Sequence, residues 1–217
     1  NSASNSGAVY VYNVDRPANW SQQAYVKAAN SQAADQFGRS VDIAGNTMVV
    51  GAQSEDSNQT VITNGTPASG NNSLSSSGAV YVYKRDGTTW VQEAYIKASN
   101  ADANDIFGNS VAISGDTIVV GAYFESSNQT VITNGSTASS DNSLSMAGAA
   151  YVFKRSGSNW VQEAYLKPSN IDANDNFGLV VDIDGDTIVV GAPGESSNQA
   201  SITNGPTASS NNSWTNA

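Results

Sequence analysis

The sequence predicts an all-β protein made of β-propeller blades, each a four-stranded antiparallel sheet. Three observations carry this. One phrase is written three times, as "DQFGRSVDIAGNTMVVGAQ" from Asp35, "DIFGNSVAISGDTIVVGAY" from Asp105 and "DNFGLVVDIDGDTIVVGAP" from Asp175. Trp20, Trp90 and Trp160 stand 70 residues apart, as do Phe37, Phe107 and Phe177, so the period spans the chain. Each period holds four short runs with strand alternation and turn signals, and none has a sustained helical period. Three units, near 6–76, 77–146 and 147–217, form one repeat array. A β-solenoid competes, but its coils are usually shorter and not usually joined by tight hairpins, so blades are favoured.

The middle unit justifies each strand in turn. "GAVYVYK" alternates Ala79, Tyr81 and Tyr83 against Val80 and Val82, which suits a strand covered on both faces. "DGTT" follows as a hairpin turn, with Gly87 supplying a positive φ. "WVQEAYIKA" sets Trp90, Ala94 and Ile96 on one face and Val91, Glu93, Tyr95 and Lys97 on the other, a mixed pattern expected nearer solvent. "SVAIS" and "TIVVGA" flank a second two-residue turn at Gly115-Asp116.

Composition removes several function classes. The chain has 217 residues, a formal charge of −10, no His and no Cys. An acidic surface repels phosphates, which argues against nucleic acid. Lacking His and Cys, the chain has no zinc site and no His-based triad, so any metal site is all-oxygen, suited to calcium or a similar hard ion. No apolar run approaches the ~20 residues of a membrane-spanning helix.

The Phe-Gly pairs at Phe37-Gly38, Phe107-Gly108 and Phe177-Gly178, each followed by "VVGAQ", "VVGAY" or "VVGAP", resemble the FG-GAP repeat. That repeat builds the β-propeller of integrin α-subunits and of many bacterial surface and secreted proteins. "SGAVYVYKRDGTTWVQEAYIKASNADANDIFG" resembles the bacterial version. The resemblance implies an extracellular or cell-surface setting. It also implies a strand order, with "FGNSVAIS" innermost, then "TIVVGA", "GAVYVYK" and "WVQEAYIKA" outermost. Gly108 and Gly121 would let inner backbones approach closely. In this order the sequence starts on the outer strands of one blade and stops on the inner strands of another. An open or partial ring is expected, completed by neighbouring blades of a longer chain or by a homo-oligomer.

Integrin-type repeats often bind calcium between strands one and two. Here those positions read only "AGNT", "SGDT" and "DGDT", too short to wrap about six to eight oxygens around an ion. The third copy clusters Asp182, Asp184 and Asp186, read either as a cation site or as a solvated hairpin. A second candidate precedes each FG strand: Asn100, Asp102, Asn104 and Asp105, and again Asn170, Asp172, Asn174 and Asp175. Alternating oxygen side chains suit Ca2+, and they equally suit turns capped by their own backbone. The long loop after each GAP motif repeats Glu55, Glu125 and Glu195, then Asn64, Asn134 and Asn204 within "ITNG", with Ile62, Ile132 and Ile202 of the type that is buried. Its roughly twenty residues exceed ordinary loop length and read as an ordered excursion on one rim, either ligand-binding or padding blade against blade.

These readings lead to a non-catalytic adhesion module that recognises a glycan or surface protein. A structural segment of an extracellular assembly or filament is the alternative, and a polysaccharide-active propeller enzyme is the second. Catalysis needs a positioned acid and base. An active site normally breaks repeat symmetry, and only the Asp182–Asp186 cluster does so here.

Overall fold

The computed structural model describes residues 3–15, 17, 19–206 and 208–211. The end of the third repeat unit, at 212–217, lies outside the described residues. The first two strands, β1 (Val9–Asp15) and β2 (Asn19–Val26), form a two-stranded sheet. The second sheet uses β3 (Ser40–Ala44), β4 (Thr47–Ala52), β5 (Thr63–Asn64), β6 (Ala79–Asp86) and β7 (Thr89–Ile96) in the order β3-β4-β6-β7-β5. The third repeats it with β8 (Val111–Ser114), β9 (Thr117–Ala122), β10 (Thr133–Asn134), β11 (Ala149–Ser156) and β12 (Asn159–Leu166), in the order β8-β9-β11-β12-β10. Strands β13 (Val180–Asp184) and β14 (Thr187–Gly191) pair as the inner half of another blade. The chain is thus two complete blades flanked by two half-blades.

The four principal strands of each blade follow the expected order. The hairpin β8–β9 turns at Gly115, whose φ of +56° suits glycine. Strand β6 is buried on both faces from Ala79 to Tyr83. The outer strand departs from the expected mixed face. A β-bulge places Tyr83 opposite Gln92 but Val82 opposite Ala94, so Glu93 is the extra residue and alternation changes phase there. Ala94, Tyr95 and Ile96 are consequently all buried, and so is Lys97. The fifth strand also departs from the four-strand expectation. Thr63 and Asn64 leave the long loop to pair with Tyr95 and Ala94, covering the blade's outer edge.

Blades pack face to face through apolar clusters. One joins Val9, Val26 and Ala28 of the first half-blade to Phe37, Met48, Tyr81 and Tyr95 of the first full blade. A larger one joins Val80, Val82 and Ile96 to Phe107, Tyr151, Phe153, Trp160 and Tyr165 of the second. A third joins Ala112, Val119 and Ala150 to Val181 and Ile183. Phe37 meets Tyr81 edge-on at 5.3 Å, and Phe107 meets Tyr151 the same way at 5.2 Å. Such pairs add about 0.5–1.5 kcal/mol beyond burial.

Inner strands crowd near the axis, and their sequence fits that. A Cβ on Gly51 would lie 2.0 Å from the Gly108 carbonyl oxygen of the next blade, and one on Gly121 would lie 2.0 Å from that of Gly178. Only glycine permits this approach. In the second full blade and the half-blade after it, the preceding blade caps amides of the inner hairpin. Asp42 Oδ2 accepts from Ile113 N (2.7 Å), Ser110 Oγ from Val181 N (3.1 Å) and Ser114 Oγ from Gly185 N (3.1 Å).

Candidate functional site

Each full blade buries a polar cluster beneath its long loop. In the first, Lys97 follows the outer strand and its Nζ donates to Glu55 Oε2 (2.9 Å) and Ser77 Oγ (2.7 Å). Asn30, from the preceding connection, donates Nδ2 to Glu55 Oε1 (3.1 Å) and accepts from the Tyr81 hydroxyl (2.5 Å). The second blade repeats this with Lys167, Glu125, Asn100 and Tyr151, at 3.0 Å, 3.2 Å and 2.7 Å. Glu55 and Glu125 therefore leave the set of ligand-binding loop residues. They are buried and paired with lysines, ahead of the point where the loop joins the blade's outer edge at Thr63-Asn64 or Thr133-Asn134. The constant Lys, Glu and Asn of every repeat, read together, could have signalled this cluster.

Burial dominates the electrostatics. It lowers the pKa of Lys97 and Lys167 while their glutamate partners oppose the shift. It raises the Tyr81, Tyr95, Tyr151 and Tyr165 phenols, which stay neutral. Asp105 is pushed up to about 7 by burial, against the bond from the Asp102 amide, and the Glu125 and Asp102 charges push it further. Asp35 and Asp175 rise for the same first reason.

The candidate calcium residues are placed as turn caps and network members. Asp105 Oδ2 accepts from Asp102 N (2.9 Å), and Asp175 Oδ2 from Asp172 N (2.8 Å). Asn104 and Asn174 take left-handed φ of 67° and 69° inside these turns. Asn100 and Asn170 reach away to Glu125 and Glu195, and Asp102 accepts from Asn142. Asp182, Asp184 and Asp186 are exposed along β13 and its hairpin, with Asp182 Oδ1 accepting from Ile183 N. Among the described residues, no three His, Cys, Asp or Glu side chains gather so as to hold a metal ion. The residues present do not fit a calcium loop.

The Asn of "ITNG" divides by copy. Asn64 Oδ1 accepts from Trp160 N (2.7 Å) and its Nδ2 donates to Trp160 O (3.3 Å), so it staples one blade's outer edge to the next. Asn134 and Asn204 are exposed, as Asn64 is too. The following glycines turn the loop at positive φ. Ile62 packs against the core, whereas Ile132 is 58% exposed and Ile202 90%, which corrects the expectation that all three are buried. Glu93 reads in the sequence only as an outer-strand residue, yet its Oε2 accepts from Trp160 Nε1 (3.0 Å) and pairs with Arg155 Nη2 (3.2 Å) across the blade boundary. The Arg155 guanidinium lies 4.8 Å from the centre of the Trp160 ring.

One surface feature also recurs. Gln59 Nε2 clasps Val61 O (2.7 Å) and Thr63 Oγ1 (2.8 Å), and Gln129 Nε2 clasps Val131 O and Thr133 Oγ1 at 2.6 Å and 2.7 Å. The loop tips are thereby fixed while Val61 and Val131 stay exposed. The FG-GAP repeat family matches the chain at residues 20–83, 90–153 and 160–205. No curated protein matches it.

Proposed function

Because the chain belongs to the FG-GAP repeat family, we propose that it is a non-catalytic propeller module of an extracellular or cell-surface protein. It binds a glycan or surface protein with its loop rim. The observation that supports this reading is the repeated tip, an exposed valine held by a glutamine clasp in Val61 and Val131. A long polar loop held in a fixed shape on a rigid scaffold suits a binding surface better than a linker. The test is binding to arrayed glycans and arrayed surface proteins, with V61S/V131S as the variant. Binding that persists in chelator and falls in the variant supports the proposal. Binding unchanged in the variant, or turnover of a polysaccharide, refutes it.

A second reading, a structural segment of a larger assembly, is favoured by the polar joints. Glu55, Glu125, Asn64 and Glu93 all serve strand or blade junctions.

A further inference from the structure

The buried cluster of each full blade holds more than an ion pair. It brings an amine, a carboxamide and a carboxylate together away from water. Glu55 Oε2 accepts from Lys97 Nζ at 2.9 Å and Glu55 Oε1 from Asn30 Nδ2 at 3.1 Å, so one carboxylate bridges the two side chains. The carboxamide is held at both ends. Asn30 Nδ2 also donates to the Ser69 carbonyl (2.5 Å), and the Tyr81 hydroxyl donates to Asn30 Oδ1 (2.5 Å). The second blade repeats the set. Lys167 Nζ and Asn100 Nδ2 meet Glu125 at 3.0 Å and 3.2 Å, Asn100 Nδ2 meets the Ser139 carbonyl at 2.6 Å, and Tyr151 donates to Asn100 Oδ1 at 2.7 Å.

These parts match the needs of acyl transfer. Attack on an amide carbonyl requires an amine with a free lone pair, a group that moves protons and a donor at the carbonyl oxygen. The Lys97 and Lys167 side chains are wholly buried, and those of Glu55 and Glu125 are 2% and 1% exposed. Burial disfavours the ammonium form and lowers the pKa of both lysines, against the pull of their glutamates. Proton transfer to the carboxylate already in contact frees the amine. Burial also raises the Tyr81 and Tyr151 phenols, so each keeps the proton it donates to the asparagine. Exclusion of water protects the intermediate from hydrolysis.

We infer that Lys97 with Asn30, and Lys167 with Asn100, form side-chain amide crosslinks that the folded blade makes by itself. The ion pair is the unreacted state. Glu55 takes a proton from Lys97 Nζ, whose lone pair then attacks Asn30 Cγ. The carbonyl electrons move onto Oδ1, where the Tyr81 hydroxyl holds them. Glu55 passes its proton to Nδ2 and takes the second proton from Nζ. The Cγ–Nδ2 bond breaks as the carbonyl reforms, and Nδ2 leaves as ammonia, which carries off the second proton as ammonium. Glu55 returns to the carboxylate, and no oxidant, reductant or further reactant is consumed.

Placement gives the crosslink a use. Asn30 lies between β2 and β3, where the chain enters the first full blade, and Lys97 follows β7, where it leaves. Asn100 and Lys167 stand at the same points of the second. Each amide therefore closes one blade covalently, so that a pull along the chain runs through the amide and bypasses the sheet.

The test is intact-mass spectrometry of the 217-residue chain, denatured after a long incubation in the folded state. The mass should be lower than the sequence mass by one ammonia for each crosslink. Fragment spectra of a protease digest should show branched peptides joining Lys97 to Asn30 and Lys167 to Asn100. In E55Q the first branched peptide should be lost and the second kept, and the second also shows that the variant folds. Full mass with Lys97 and Lys167 free, ammonia lost without the branched peptides, or a Lys97–Asn30 crosslink that survives E55Q would overturn the inference.

Discussion

Replacing Lys97 by Met tests whether the buried cluster holds the blade together. The ammonium makes bonds of 2.9 Å to Glu55 and 2.7 Å to Ser77 in a site closed to solvent. Met fills much of the aliphatic volume but strands the Glu55 carboxylate. Breaking a buried pair by removing one partner costs about 3–5 kcal/mol. Glu55 keeps bonds from Asn30 Nδ2 and Ser57 N, so the lower end, about 3 kcal/mol, is expected. The double variant K97M/E55Q removes the orphan charge and should recover about 2 kcal/mol of that loss. The assay is urea unfolding followed by tryptophan fluorescence, with the transition checked by circular dichroism for two-state behaviour. A single-variant loss below about 1 kcal/mol, or a double variant no better than the single, would refute the reasoning.

Asp105 sets a pH dependence. Its folded pKa is about 7 against an ordinary 3.8, so the folded state holds a proton that the unfolded state releases. Stability from this group is therefore highest in acid, falls as pH rises from about 4 to about 7, and is level above. Asp105→Asn keeps an oxygen to accept from the Asp102 amide and removes the slope. Its stability relative to wild type should rise across that window by up to about 4 kcal/mol, read from melts at stepped pH, and parallel curves would contradict it. Gly51→Ala puts a Cβ 2.0 Å from the Gly108 oxygen and should cost about 2–3 kcal/mol in the same unfolding assay. Gly70→Ala, where a Cβ meets nothing within 4 Å, is its silent control.

The repeat text made the blade legible because strand alternation, Gly turns and the FG and GAP glycines are local signals. It left three things hidden for physical reasons. The bulge at Glu93 is invisible to strict alternation, so the outer strand reads as a mixed strand nearer solvent when Ala94 to Lys97 are all buried. The pairing of Thr63-Asn64 with Tyr95 and Ala94 joins residues about thirty positions apart, and two residues are too few to show a strand period. Glu55 and Lys97, 42 residues apart, stood on what looked like a loop and a strand, and only the folded blade brings them together. The Asn and Asp side chains before each FG strand were read equally as ligands or caps. In the fold Asp105 and Asp175 accept from Asp102 N and Asp172 N, while Asn100 and Asn170 reach glutamates far along the chain, contacts that residue spacing alone does not reveal.

The central claim is that blades stand side by side around an axis, each capping the inner edge of the next. Backbone exchange at Ile113 tests it most directly, since its amide is bonded by Asp42 of the preceding blade at 2.7 Å. Hydrogen exchange followed by NMR should find the Ile113 amide protected in the wild type. In Asp42→Ala it should be selectively released, with the buried amides of β9 still protected. An Ile113 amide that exchanges freely in the wild type, or one indifferent to the loss of Asp42, would contradict the account.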